Sequence, residues 1–150
     1  MKKKKISNLK GQAAKNTLWR LGQLSWKLHP LQKKIYTQFY NSDDEITTML
    51  ISRQVGKSFL MSLIATETCI KKPFAVVKFV MPKQKSGKKI LKKSMRKILE
   101  DCPPDMKPEW KEADKIYLFP NGSEIQIAGT DNQSYDDIRG GTADLWFERS

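Results

Sequence analysis

Cysteine, histidine and long apolar runs are all scarce in this 150-residue sequence, and each scarcity excludes a class of protein. The two cysteines, Cys69 and Cys102, form no Cys-x-x-Cys pair and have no histidine nearby, which argues against a zinc site and a disulfide scaffold. His29 is the only histidine, so the chain offers little for a Ser-His or Cys-His catalytic unit. No stretch approaches the roughly 20 apolar residues that cross a bilayer, and the first lysines lead into polar sequence rather than a secretory signal. A cytosolic protein is predicted.

Basic residues outnumber acidic ones, with 28 Lys and Arg against 16 Asp and Glu and a net charge of +12. So large a positive charge favours a polyanionic partner, and nucleic acid ahead of an anionic membrane. The length predicts one domain with a substantial core. Residues 1–25 predict a flexible, basic N-terminal arm that leads into a short helix around Leu18 to Leu24, and solvated disorder is favoured over a dedicated DNA-binding tail.

Residues 51–58 read Ile-Ser-Arg-Gln-Val-Gly-Lys-Ser, and their surroundings predict a phosphate-binding loop. The apolar, β-branched residues 46–51 predict a buried strand before the loop, and residues 58–68 predict a helix after it. The common pattern has a glycine at the position of Ile51. The alternative is therefore a plain helix N-terminus with an exposed lysine.

The chemistry of such a loop assigns a role to each of its last three residues. A loop that opens a helix turns free backbone N–H groups and the positive end of the helix dipole toward an anion. Gly56 would let the backbone approach the phosphates, and Lys57 would reach the terminal phosphates. The Ser58 hydroxyl would bind magnesium.

The remaining patterns predict an α/β core. Pro30 suits the first turn of a helix that carries Ile35, Tyr36 and Phe39 at helical spacing. Residues 73–81 predict a second buried strand, which would form a parallel βαβ unit with the strand before the loop.

Further along, a basic helix, a hairpin and a last strand are predicted. Residues 83–97 contain eight basic residues and no acidic one, and their basic face is either solvated or a contact for the nucleic-acid backbone. Residues 101–104 stop this helix. Asn121-Gly122 between two apolar segments predicts a β-hairpin, and residues 139–147 predict a glycine-rich turn and a short strand.

In order and in content these segments resemble the N-terminal ATPase region of the large terminase subunit, the DNA-packaging motor of tailed bacteriophages. Residues 52–58 are similar to that family's variant phosphate loop, in which Ser-Arg-Gln replaces the early glycine. Pro30-Leu31-Gln32 resembles its adenine-recognition segment, residues 119–125 its hairpin, and residues 139–145 the approach to its second nucleotide motif. The resemblance covers about residues 28–147 and implies a P-loop NTPase-type parallel sheet with flanking helices and an added β-hairpin.

The resemblance implies a site for ATP and Mg²⁺. It places Gln32 on the adenine base, unless Gln32 is an ordinary polar residue of a helix. Arg53 would face the γ-phosphate as a catalytic residue, or would otherwise form a surface salt bridge. Arg139 would sense the nucleotide, reach a neighbouring subunit, or serve as a structural arginine of the turn. The remaining residues implied to bind the cofactor are those of the loop, Ser52, Gln54, Val55, Gly56, Lys57 and Ser58, with Ser58 as the metal ligand.

The end of the sequence departs from the family pattern. The family has an Asp-Glu pair after the strand that residues 145–147 resemble, and no such pair occurs here. Glu148 is the catalytic candidate that would replace one member. The remaining ATPase strands and the nuclease domain are also missing, so residues 26–150 predict a truncated ATPase domain that binds nucleotide and hydrolyses it slowly or not at all.

For the intact parent, the resemblance implies double-stranded DNA, a portal protein and a small terminase subunit as partners. It also implies a homo-oligomeric ring, and a location in the cytoplasm of an infected or prophage-carrying bacterium without membrane contact. Two alternatives stay open. A helicase-like P-loop ATPase would need strand-separation motifs and a second motor domain, whereas a non-enzymatic DNA-binding remnant would bind DNA with steep salt dependence and no effect of ATP.

Overall fold

A computed structural model describes residues 2–41, 56–129 and 143–148, with side chains described for residues 11–41, 56–129 and 143–147. The helices are α1 (Lys2–Arg20), α2 (Pro30–Asn41), α3 (Lys57–Lys71) and α4 (Gln84–Ile98), with short 3-10 helices at Ser25–Lys27 and Leu99–Asp101. The strands are β1 (Val76–Met81), β2 (Glu109–Lys111), β3 (Ile116–Leu118), β4 (Glu124–Gly129) and β5 (Leu145–Glu148). None of the helices built from these residues is long and apolar enough to span a membrane.

The five strands form one mixed sheet in the order β2-β3-β4-β1-β5. β1 pairs in parallel with β4 on one side and β5 on the other, whereas the β2–β3 and β3–β4 pairs are antiparallel. All five residues from Val77 to Met81 are buried, as expected of a strand covered on both faces. The α/β class and the hairpin are therefore confirmed. The sheet is mixed rather than parallel, because the predicted hairpin pairs directly with its edge.

α3 is the most deeply buried helix of the described chain. Its residues 60–67 are all buried, and it contacts α2, α4 and three strands of the sheet. A helix surrounded on most sides needs apolar residues all round, which the stretch from Leu60 to Ile64 largely supplies. The predicted helix over residues 58–68 is confirmed and continues to Lys71.

The N-terminal segment differs from its prediction. Residues 2–20 form a single helix, so the prediction of a disordered arm followed by a short helix near Leu18 is wrong. Trp19 and Leu24 are fully buried, and the Trp19 indole N–H donates to Asp101 Oδ1 at 3.2 Å. The end of this segment thus packs on the same core as the residues after position 26. Lys, Gln and Ala favour a helix, but apolar residues are too few here to mark it by their period.

The Asn-Gly turn between β3 and β4 joins the end of α3 to the start of β1. The Asn121 side-chain amide donates to the Cys69 carbonyl at 2.7 Å. The buried Ser123 hydroxyl donates to the Lys72 carbonyl at 2.7 Å and accepts the Ala75 N–H at 3.0 Å. In this chain the hairpin turn therefore has a structural role, since it hydrogen-bonds to the C-terminal end of α3 and to the residue before β1.

Candidate phosphate-binding site

Gly56 is the residue at which the chain turns into α3. Its backbone is left-handed, with φ 72° and ψ 49°, and a Cβ at this position would lie 2.5 Å from Gln32 Nε2. Both the positive φ and the close approach favour glycine. The Gly56 carbonyl accepts the Leu60 N–H at 3.1 Å and so begins the helix.

The first turn of α3 is an electropositive helix end. No side chain caps it among the residues that the structure describes, and its first turn contains no acidic residue. The first N–H groups of a helix lack intrahelical acceptors, and the helix dipole adds positive potential at the same point. Lys57 and Ser58 lie half-buried in this turn. The arrangement suits an anion.

A cavity of about 370 Å³ lies beside this turn, between α3 and α4. Residues 56–59 form one wall. The other wall consists of four residues of α4, namely Ile90, Lys93, Ser94 and Lys97. Among the described lining residues there are three lysines, counting Lys57, and no acidic side chain, a charge that suits a polyanion. The basic character of residues 83–97 is visible in the sequence, but which of its lysines face the loop depends on how α4 packs on α3.

Gln32 reaches Gly56 from α2. The side chain is 4% exposed, its Nε2 donates to the Gly56 carbonyl at 3.1 Å, and its Oε1 accepts the His29 N–H at 3.1 Å. The Gln32 N–H in turn donates to His29 Nδ1 at 3.4 Å, which completes a reciprocal cap at the start of α2. The structure thus brings Gln32 to the predicted loop. Its contact with an adenine base stays a prediction.

A buried carboxylate holds α2 against α3. Glu67 is fully buried and accepts the Leu24 N–H at 3.1 Å, the Tyr36 hydroxyl at 2.7 Å and the Tyr40 hydroxyl at 3.1 Å. Burial, together with the nearby Glu67 carboxylate, raises the pKa of Tyr36 and of Tyr40, so both phenols remain protonated donors. This network fixes the position of α2 and hence the reach of Gln32. A single glutamate in a helical pattern gives no sequence signal for it.

The two acidic residues of the last described segment lie at opposite ends of β5. Asp144 accepts the Val76 N–H at 2.9 Å and pairs with Lys72, and these two partners lower the pKa of its carboxyl group. Asp144 therefore has a structural role, because it connects the segment before β5 to the start of β1. Glu148 ends β5 opposite Val80, at the carboxyl edge of the parallel strands.

The N-terminus of α3 lies toward this same carboxyl edge. The C-terminal end of α3 meets the start of β4, where the Cys69 thiol lies 3.8 Å from the Glu124 carbonyl oxygen. A straight helix of this length places its first turn near the opposite edge. The backbone of Glu148 is thus on the side of the sheet where the catalytic prediction needs it, and the predicted role of its side chain stays a prediction.

Several predicted residues lie outside the described ones. They are Ser52, Arg53, Gln54, Val55, Arg139 and the strand over residues 46–51. The βαβ unit and the roles assigned to these residues stay predictions. Within the described ranges there is no group of three or more His, Cys, Asp or Glu that could hold a metal ion.

Comparison with known proteins gives one family. No curated protein matches the sequence significantly. The family model described as terminase large subunit, T4likevirus-type, N-terminal, matches residues 48–148, about two thirds of the chain. The matched region spans the predicted loop, α3, α4 and all five strands. The chain therefore belongs to the T4-like family of terminase large subunits and corresponds to its N-terminal part.

Proposed function

We propose that this chain binds ATP with Mg²⁺ at the start of α3 and forms the nucleotide-binding part of a phage DNA-packaging motor. Membership of the terminase family supports a role in phage DNA packaging. The observation that carries the nucleotide proposal is the cavity in which Gly56, Lys57 and Ser58 face Lys93 and Lys97. The three parallel strands around β1 are compatible with a P-loop NTPase-type fold.

In the proposed site, residues of two helices, α3 and α4, contact the ligand. The phosphate oxygens would accept hydrogen bonds from the N–H groups of the first turn of α3. Lys57 would contact the terminal phosphates, and Lys93 and Lys97 would face them from the opposite wall. Arg53 would face the γ-phosphate, since a guanidinium forks onto phosphate oxygens. The Ser58 hydroxyl suits Mg²⁺, which when bound neutralises phosphate charge.

Hydrolysis depends on a positioned carboxylate as well as on phosphate binding. Glu148 stands at the carboxyl edge of β5 and is the proposed residue for orienting the attacking water. The Asp-Glu pair of the family pattern does not occur in residues 145–150, and Glu148 is the carboxylate proposed in its place.

Titration with a fluorescent ATP analogue and MgCl₂ tests the proposal. We expect Lys57→Ala to weaken binding by roughly tenfold or more, because a hydrogen bond to a charged group contributes about 1.5–3 kcal/mol. Lys107→Ala is the matched control, since Lys107 is exposed and lies outside the cavity lining. Phosphate release is followed in the same samples. Equal binding by wild type and Lys57→Ala, with both folded by circular dichroism, would contradict the proposal.

We also propose that the outer face of α4 contacts the phosphate backbone of DNA. Six basic side chains line this face: Lys85, Lys88, Lys89, Lys92, Lys93 and Arg96. Lys88 pairs with Glu112, which offsets part of the charge, whereas Lys85, Lys89, Lys93 and Arg96 are exposed. Binding at this face would be independent of DNA sequence and steeply salt-dependent. A DNA-binding remnant without a nucleotide site would show the same salt dependence with no response to ATP.

A further inference from the structure

We infer that Gln32 is a positioning residue for the Gly56–Lys57 peptide of the proposed phosphate site, acting through its hydrogen bond to the Gly56 carbonyl, and that it does not select the adenine base. The inference rests on the proposed nucleotide site. Its basis is that the buried side-chain amide of Gln32, on α2, donates a hydrogen bond to Gly56, the last residue before α3.

The orientation of the Gln32 amide is set by its two partners. The His29 N–H donates to one amide atom, and the Gly56 carbonyl, which also accepts the Leu60 N–H, faces the other, so only the orientation with Oε1 toward His29 and Nε2 toward Gly56 makes both hydrogen bonds. An adenine base read by a glutamine needs the amide oxygen and nitrogen to point at the base together. With the side chain 4% exposed and both amide atoms engaged inside the chain, the amide is poorly placed for that contact.

The hydrogen bond from Gln32 to Gly56 affects the orientation of the Lys57 N–H, a group of the proposed phosphate site. The Gly56 carbonyl and the Lys57 N–H belong to one planar trans peptide and point in opposite directions. The Gly56 carbonyl accepts two donors, the Leu60 N–H at 3.1 Å and the Gln32 amide at 3.1 Å, which together fix the plane of this peptide and with it the direction of the Lys57 N–H. That N–H is among the first of α3, which the helix itself leaves without an acceptor.

The position of Gln32 is itself fixed by packing. Tyr36 and Tyr40 lie on the same helix and donate to Glu67 of α3, so α2 is tied to α3 independently of any ligand. The Cβ that Gly56 lacks would lie 2.5 Å from Gln32 Nε2, so the amide fills the space that this glycine leaves. Gln32 and Gly56 thus form one packed unit at the start of α3.

Gln32→Glu separates the loop contact from the helix cap. Glutamate still accepts the His29 N–H, because glutamate and glutamine serve equally at this position of a reciprocal cap, but it cannot donate to the Gly56 carbonyl. Gln38→Glu adds the same charge at an exposed site of α2 and is the matched control. Gln32→Ala removes the donor without adding charge.

Isothermal titration calorimetry with MgATP, MgGTP and magnesium tripolyphosphate gives three affinities for each variant. We expect Gln32→Ala to weaken all three by a common factor of roughly three to ten, the value of one hydrogen bond. Gln32→Glu should weaken all three by at least that factor, and Gln38→Glu should leave them within about twofold. Circular dichroism melts confirm that each variant is folded at the titration temperature.

The outcomes separate this inference from the proposed function. A loss confined to MgATP, with MgGTP and tripolyphosphate unaffected, would overturn the inference and make Gln32 a base-reading residue. A lowered melting temperature with unchanged affinity for tripolyphosphate would also overturn it, because the role would then be purely structural. A folded wild type that binds none of the three ligands would overturn the proposed nucleotide site, and the inference with it.

Discussion

At the scale of single residues, Asp144 links folding to pH. Its carboxylate accepts the Val76 N–H and pairs with Lys72, while its own N–H donates to the Val76 carbonyl at 2.9 Å. These contacts hold the chain just before β5 against the start of β1. Lys72 and the Val76 N–H lower the pKa of the Asp144 carboxyl group in the folded state. The carboxylate therefore stabilises the fold above its unfolded pKa, and this contribution is lost as pH falls through the folded pKa.

We expect Asp144→Asn to be less stable than wild type at neutral pH, by less than about 1 kcal/mol because the pair is exposed to solvent and salt. Asparagine keeps an acceptor for the Val76 N–H but loses the charge. The difference in free energy of unfolding should hold at neutral pH and shrink as the pH falls below about 4, the pKa of an unfolded aspartate. Urea unfolding at several pH values measures it, with the exposed Asp114→Asn as control. A difference that stays constant with pH would contradict the assignment.

At the scale of secondary-structure elements, the turn between β3 and β4 is a conformational requirement. Gly122 has φ +85°, and a Cβ there would lie 2.4 Å from the Phe74 ring. We expect Gly122→Ala to lower the free energy of unfolding by about 1–3 kcal/mol, since a non-glycine residue is strained at this φ. The affinity for ATP should not change. The turn meets the C-terminal end of α3, and a 15-residue helix separates its two ends by about 22 Å.

Gly11→Ala is the opposite case within the same chain. Gly11 lies in α1, and a Cβ there would have nothing within 4 Å. Alanine is favoured over glycine in a helix by up to about 1 kcal/mol, so this variant should be as stable as wild type or more so. Urea unfolding of both variants, with ATP titrations alongside, makes the comparison. Weaker ATP binding by folded Gly122→Ala would mean that the hairpin contributes to the site.

The elements predicted correctly are those with a strong local signal. α3, α4 and β1 follow apolar patterns, and the Asn-Gly dipeptide marks the hairpin. α1 had no such signal, because its residues are mostly polar, and among its described side chains, residues 11–20, the buried one is Trp19 in the last turn. The mixed character of the sheet depends on which strand the hairpin joins, and that pairing is long-range.

At the scale of the whole molecule, the candidate site is assembled from three successive helices, α2, α3 and α4. The sequence pattern identifies Gly56, Lys57 and Ser58, and the resemblance adds Gln32. Lys93 and Lys97 join them only because α4 packs beside α3, and Glu67 acquires its role because α2 covers it. Side chains whose function depends on such tertiary contacts have no local pattern that would reveal them.

The net charge of +12 raises the question of whether DNA responds to the total charge or to the basic face of α4. If duplex DNA lies on the outer face of α4, the double variant Lys85→Ala/Lys89→Ala should weaken binding and flatten its salt dependence. Each phosphate contact contributes a slope of about 0.9 in a plot of log affinity against log salt, so the slope should fall by up to about 1.8. Lys33→Ala/Lys34→Ala on α2 removes the same charge from two exposed lysines and is the control.

Fluorescence anisotropy with a labelled duplex, at several NaCl concentrations and with or without MgATP, measures these slopes. Net charge acting alone would make the two double variants equal, because long-range attraction depends on total charge rather than on position. A change confined to the α4 pair would instead locate the contact on that helix. A DNA affinity that also responds to MgATP in wild type but not in Lys57→Ala would connect the basic face to the nucleotide site, since Lys93 lines both surfaces. Slopes that are the same in all variants would exclude α4 as the DNA contact.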